Sequence, residues 1–162
     1  MEKEEAMSWR AKLLLILFAS HAAMHAYGDT GTFETFHCSA GQPQTLKHSE
    51  KNSVGIVMLY GTTRATTPGQ MLDNMSTQCA GLYGELEEAS FSQGFCEWAD
   101  GDGDRIFFRY ERQGTRGTFR SLSGVGKYQA MTMEGTYVFT RFPPRPGMLQ
   151  GCAHYKGRWE RR

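Results

Sequence analysis

The chain has 162 residues, 40% of them hydrophobic, 12% aromatic and 22% charged, and carries a formal net charge of +1 at pH 7. That balance fits one compact domain and excludes a disordered, collagenous or coiled-coil chain, while the length is short for two ordinary domains. Nineteen glycines, more than the roughly 7% of average usage, together with aromatic-rich runs favour an all-β chain of many short strands joined by tight turns.

The first segment reads as an address. Residues 1 to 12 carry Glu2, Lys3, Glu4, Glu5, Arg10 and Lys12, and are followed by the apolar run Leu13 to Ala19 and by small residues around Ser20 to Ala23. This is the order of a secretory signal. The apolar run falls well short of the roughly 20 residues that cross a bilayer, and no second run follows, so no stable membrane anchor is expected. The expected division is a signal peptide over 1–22 and a single domain over 23–162, exported to the periplasm or secreted; a cut after Gly28 is the other candidate.

Eight strands are expected downstream, from stretches rich in β-branched and aromatic residues separated by Gly, Pro, Asp and Ser clusters. They fall near 31–38, 54–63, 78–87, 91–99, 105–113, 116–122, 133–142 and 151–159. Connections are short except for 39–53 and 64–77. Short links favour antiparallel neighbours, and eight such strands can close on themselves and remove their edges, so a small barrel is preferred to an open sandwich. Met71, Leu72 and Met75 in the second long connection are spaced for a short helix. The stretch 64–77, with Pro68 and Gly69, is a candidate lid or protein-contact loop.

Residues two apart in a strand share a face. A tight turn after Glu87 and another centred on Asp102 group Tyr83, Glu85, Phe95, Glu97, Phe107, Arg109 and Glu111 on one face. Leu82, Leu86, Cys96, Trp98, Ile106, Phe108 and Tyr110 fall on the other, and parity leaves open which face lines a lumen. The four cysteines, Cys38, Cys79, Cys96 and Cys152, all follow the signal; an even number in an oxidising compartment points to disulfides, and no pair has the CxxC spacing of a zinc or redox site. Barrel closure makes Cys38 in the first strand and Cys152 in the last neighbours, so these two are the expected bridge. Cys79 and Cys96 point to opposite faces in this register and would need a bulge.

Charge is unevenly spread. Residues 23–104 hold three basic against eleven acidic side chains, and residues 105–162 hold twelve against three. A basic surface for an anion is one meaning; neutralisation between strands distant in sequence is the favoured one, and no nucleic-acid partner is expected.

Few motifs carry chemistry. Asp100-Gly101-Asp102-Gly103-Asp104 with Glu111 overlays part of an EF-hand loop, but its sixth position is Arg105 where that loop needs glycine, and strands flank it; a hairpin turn is expected and no metal. His37, His48 and His154 lie without HxH or HExxH spacing, and Met71 and Met75 are read as packing, not as thioether ligands for copper. No GxSxG elbow or Cys-His pair is present. Glu97, Tyr83, Glu85 and Arg109 are the candidate catalytic residues, as a carboxylate facing an arginine or tyrosine in a lumen could move a proton.

In the stretch from Ser123 to Tyr137, Gly124 and Gly126 allow a sharp connection, Tyr128 can plug a barrel end, and Gly135 opens the following strand to close approach. This stretch resembles the GGTGxFxGxxG-type segment of allene oxide cyclase and dirigent-like barrels, with Ser123-Gly124-Val125-Gly126 in place of Gly-Gly-Thr-Gly and with Met133-Glu134 before Gly135. The order of Cys96, Trp98, the Asp-Gly turn and this stretch is similar to exported bacterial members of that group, over about residues 91–142. The resemblance implies an eight-stranded barrel, often oligomeric, whose cavity takes an apolar molecule and in some relatives guides its cyclisation or coupling without a cofactor. It carries over no catalytic residue.

Two functions follow as expectations. In the first, an exported barrel binds a small, partly apolar ligand between walls that include Phe95, Phe107 and Tyr137. In the second, a cofactor-free cyclase or isomerase, or a dirigent-like stereocontrol protein, uses Glu97 or Tyr83 to move a proton. A structural or inhibitory barrel with a filled interior is the third possibility.

Overall fold

The computed structural model describes residues 29–143 and 145–162; the signal expected over 1–22 lies outside them. The described chain forms nine strands and one turn of 3-10 helix over Gly126–Tyr128. The strands are β1 (Thr30–Gly41), β2 (Pro43–Lys47), β3 (Asn52–Ala65), β4 (Ser76–Leu86), β5 (Ala89–Ala99), β6 (Arg105–Gln113), β7 (Arg116–Val125), β8 (Met131–Arg141) and β9 (Leu149–Arg161). From β3 to β9 each strand pairs antiparallel with the next, β9 pairs with β1, and β1 pairs back onto β3. Eight antiparallel strands therefore close a barrel without a free edge.

The ninth strand, β2, lies in the stretch 39–53 expected to be a connection. Ala40 pairs with Tyr60 and Pro43 with Val57, so β2 continues the register of β1 along β3. The two are one long strand interrupted at Gln42, where Pro43 supplies no N–H to the ladder.

Register at the β4–β5 hairpin corrects the grouping read from sequence. Leu86 pairs with Ala89, leaving Glu87 and Glu88 as a two-residue turn with φ of 51° and 78°. A loop of even length sets odd residues of β4 against even residues of β5. Tyr83 and Glu85 thus face inward with Cys96 and Trp98, while Phe95, Glu97, Phe107 and Arg109 face outward. Cys79 stands opposite Cys96 and is bridged to it with no bulge. Such turns favour Asn-Gly or Asp-Gly, and Glu-Glu carries no such signal.

Glycine is used differently from the expectation too. Most of the described glycines lie within strands, not turns, several of them under inward-facing rings. A Cβ at Gly81 would collide with the Tyr110 hydroxyl and one at Gly117 with the Tyr137 ring. Each ring fills the space its glycine neighbour vacates.

One half of the barrel is packed solid. Trp98, Ile106, Phe108, Tyr128, Met131 and Met133 fill the end where β4, β6 and β8 begin, and Leu72 and Met75 from the connection 66–75 cap it. Trp98 meets Phe108 edge-on at 4.9 Å, and each such fully buried side chain contributes on the order of 1.5–3 kcal/mol. The short helix expected at Met71 to Met75 is absent; the segment is a pair of turns with Leu72 at φ 66° and Asn74 at φ 57°. Thr63 holds it: its hydroxyl donates to the Leu72 carbonyl at 2.5 Å and accepts the Met75 N–H at 3.0 Å.

Candidate functional site

The opposite half of the barrel is hollow. A cavity of about 420 Å³ opens where β4 and β6 end and where β5 and β9 begin. Its floor is His37, the Cys79–Cys96 bridge and Tyr155, and its wall includes Val57, Leu59, Tyr110, Tyr137, Phe139 and Ala153. The size falls in the roughly 300–1,000 Å³ range of small-ligand pockets, and the mix of apolar wall and few polar groups is typical of them.

Strand alternation positions every one of these groups. Tyr110 and Arg112 are inward residues of β6, Tyr137, Phe139 and Arg141 of β8, and His37 of β1. Tyr137 stacks on Tyr155 at 4.8 Å, and Tyr110 meets Tyr137 edge-on at 6.4 Å. Burial pushes the hydroxyls of Tyr110, Tyr137 and Tyr155 above their ordinary range, so all three are neutral at physiological pH.

His37 is buried and shares a 2.9 Å hydrogen bond between its Nε2 and Thr77 Oγ1. Burial lowers its pKa to about 4, so the floor carries an uncharged imidazole at neutral pH. Arg112 lies higher on the wall. Its Nε donates to Ser92 Oγ at 3.2 Å, Nη1 donates to Ser90 Oγ at 3.5 Å and to the Gly114 carbonyl, and its Cζ stands 5.1 Å over the Phe139 ring. At the rim, the Tyr83 hydroxyl is bonded to that of Thr45 and Glu85 lines the mouth.

Of the residues singled out from sequence, Tyr83, Glu85 and Tyr137 line this cavity. Glu97, Arg109, Phe95 and Phe107 do not: they stand on the outer surface. Glu97 lies 3.7 Å from Arg105, and Phe95 stacks on Phe107 at 5.7 Å in solvent, 49% and 37% exposed. The corrected β4–β5 register moves them there. His37, Tyr110, Arg112, Ser92 and Tyr155 also line the cavity and carry no motif that marks them in the sequence, although their alternation along the strands follows once one inward residue is known.

A larger groove, about 1270 Å³, runs over the outer face past Ile56, Met58, Leu82, Phe95, Arg109 and Arg120. It lies along the outer surface, whereas the lumen is walled by the barrel strands around its circumference and opens only at its mouth. The lumen can therefore exclude water from a bound molecule, which the groove cannot.

The Asp100–Asp104 turn is satisfied from within the protein. Asp100 Oδ1 accepts the N–H groups of Asp102 and Asp104, and Lys127 Nζ lies 2.6 Å from Asp100 Oδ2. Among the described residues, no group of three His, Cys, Asp or Glu side chains is arranged to hold a metal. The second disulfide, Cys38–Cys152, joins β1 to β9 on the outer face, where the two residues are paired.

No known family and no curated protein matches the sequence. Comparison of the structure does find likeness. The pterocarpan synthase dirigent protein GePTS1 superposes with a TM-score of 0.50 at 7% identity, covering 99% of this chain and 96% of its own. This chain has a dirigent-type barrel fold. The dirigent protein PsPTS1 (TM-score 0.48, 12% identity, covering 84% of this chain and 96% of its own) and a nonspecific heme-binding cyclase of neoabyssomicin biosynthesis (TM-score 0.43, 13% identity, covering 100% and 84%) are also similar.

Proposed function

We propose that the protein is an exported barrel that holds one small, partly aromatic molecule in the open half of its lumen. The observation that carries this is the division of the barrel: one half is filled by Trp98, Phe108 and their neighbours, and the other leaves about 420 Å³ lined by tyrosines and closed below by a disulfide. A purely structural barrel has no reason to leave its best-walled space empty, since a void forfeits dispersion contacts on every side. Two disulfides and no free cysteine suit an oxidising compartment, which supports export. An assembly of several copies is compatible with the exposed apolar residues Ile56, Met58 and Tyr60 on the outer face.

Native mass spectrometry of protein from an exporting host tests the binding role. Retention of a small molecule, or stoichiometric uptake of the neutral dye N-phenyl-1-naphthylamine, supports it. Loss of that uptake in S92W, which places a large side chain on the wall, and its survival in F95S on the outer face locate it. An empty protein that takes up no dye overturns the proposal.

A second role, steering the cyclisation or coupling of the bound molecule without a cofactor, is favoured by the separation of an uncharged His37 on the floor from Glu85 and Tyr83 at the rim. Under it a proton is moved by Glu85 or Tyr83, and not by Glu97, whose side chain is outside. E85Q should abolish turnover of an identified substrate and leave its binding intact; unchanged turnover removes Glu85 from the mechanism.

A further inference from the structure

Arg112 is the unusual group of the lumen. A half-buried guanidinium ordinarily keeps a carboxylate beside it, because an uncompensated charge inside a protein is costly. Among the described residues none pairs with Arg112, and no carboxylate contributes to its proton affinity, which burial and the nearby charge of Arg141 both lower. The cavity lining contains a single acid, Glu85 at the mouth, against Arg112 and Arg141. Arg112 is nonetheless rigidly placed, bonded through Nε and Nη1 to Ser92, Ser90 and Gly114 and laid over Phe139, which leaves Nη2 without a partner among the described residues. A planar donor fixed in this way and facing an apolar chamber is what a bound oxyanion requires.

We infer that the lumen takes an amphipathic anion, its carboxylate or comparable oxyanion held by Arg112 with Arg141 and its apolar body lying against Tyr110, Tyr137 and Phe139. This rests on the lumen being a ligand site and narrows the ligand to a chemical class. It also gives the uncompensated charge a role: the partner that Arg112 lacks in the protein arrives with the ligand. The neutral tyrosine hydroxyls add donors beside the anion without competing for the cation.

Two dyes with the same anilinonaphthalene body test it. 8-Anilino-1-naphthalenesulfonate carries an anion and N-phenyl-1-naphthylamine does not. The sulfonate is expected to bind about tenfold more tightly, and R112Q to weaken it by about tenfold or more while changing the neutral dye by less than about twofold. R109Q and R120Q, on the outer groove, should change neither. Equal affinities with both dyes indifferent to R112Q would overturn the anion while leaving the cavity in place. Sulfonate binding lost in R109Q or R120Q and kept in R112Q would place the anion outside and overturn the inference. No binding of either dye would overturn the lumen site and the inference together. Should R112Q lose the neutral dye through misfolding, R141Q at the exposed rim decides: a severalfold loss of sulfonate binding alone supports the inference, and no change overturns it.

Discussion

Cys79 and Cys96 are directly opposed across β4 and β5, and the bridge between them forms part of the lumen floor, whereas the Cys38–Cys152 bridge lies on the outer face. The two close loops of very different size, with sequence separations of 17 and 114. In the chain-entropy account a bridge over about 15 residues contributes about 3 kcal/mol and one over about 100 residues nearly 5 kcal/mol. C38A/C152A should therefore lose more stability in urea than C79A/C96A, yet leave dye uptake unchanged. C79A/C96A should alter uptake, since it removes the part of the floor that the bridge supplies. The reverse assignment of either effect would contradict this placement.

The β4–β5 turn offers a gain in stability. Glu87 and Glu88 both adopt positive φ, which costs a non-glycine residue and suits Asn-Gly. The Lys51–Glu88 ion pair lost on substitution is exposed and contributes little. E87N/E88G is expected to raise the unfolding free energy by about 1 kcal/mol in chemical denaturation; a decrease would mean that the pair is held by something other than turn geometry.

The length of that turn is also what no local signal in the sequence reveals. The eight wall strands were legible because alternation and turn residues mark them locally, the closure that joins Cys38 to Cys152 because their number and short links favour a barrel, and Tyr128, an aromatic after two glycines, is buried at the barrel end. The register across residues 83–97 was not legible, because it hangs on whether the turn holds an even or odd number of residues. One residue of difference sends every side chain to the opposite face, and it carried Phe95 and Glu97 out of the lumen and set Cys79 against Cys96. The connection at Leu72 and Met75 hid for a different reason: its turns are held by hydrogen bonds to Thr63, nine residues before Leu72 and twelve before Met75, and no local pattern in 66–75 signals that contact.

On the outer surface, Arg109 and Arg120 are paired across β6 and β7. Like charges directly opposed in an antiparallel pair destabilise it, by up to roughly 1 kcal/mol. R109E should raise stability by a few tenths of a kcal/mol at low salt, and the gain should shrink as ionic strength rises. Thermal unfolding at two salt concentrations checks this, and a salt-independent effect would deny its electrostatic origin.

Acid should weaken the fold through His37. Its folded pKa of about 4 lies below the ordinary 6.5, so the unfolded chain takes up a proton first as pH falls. Stability is thus flat above pH 6.5 on this account and declines between pH 6.5 and about 4, with a total near 3 kcal/mol by linkage. The carboxylates of Glu34, Asp73 and Asp100, whose pKa values are lowered, add their own loss only further toward acid. H37Q should flatten the decline above pH 4.5 (an approximate bound set by the carboxylate range). An unchanged profile in that variant would assign the effect elsewhere.

A small molecule in the lumen would be reported directly by methionine methyl groups. Met148 lines the cavity mouth, Met58 lines the outer groove, and Met131 and Met133 sit in the filled half. In a titration of methyl-labelled protein with N-phenyl-1-naphthylamine followed by NMR, the Met148 signal should move to saturation at one dye per chain while Met58 stays in place. Movement of Met58 with Met148 unaffected would put the ligand on the outer face and contradict the account.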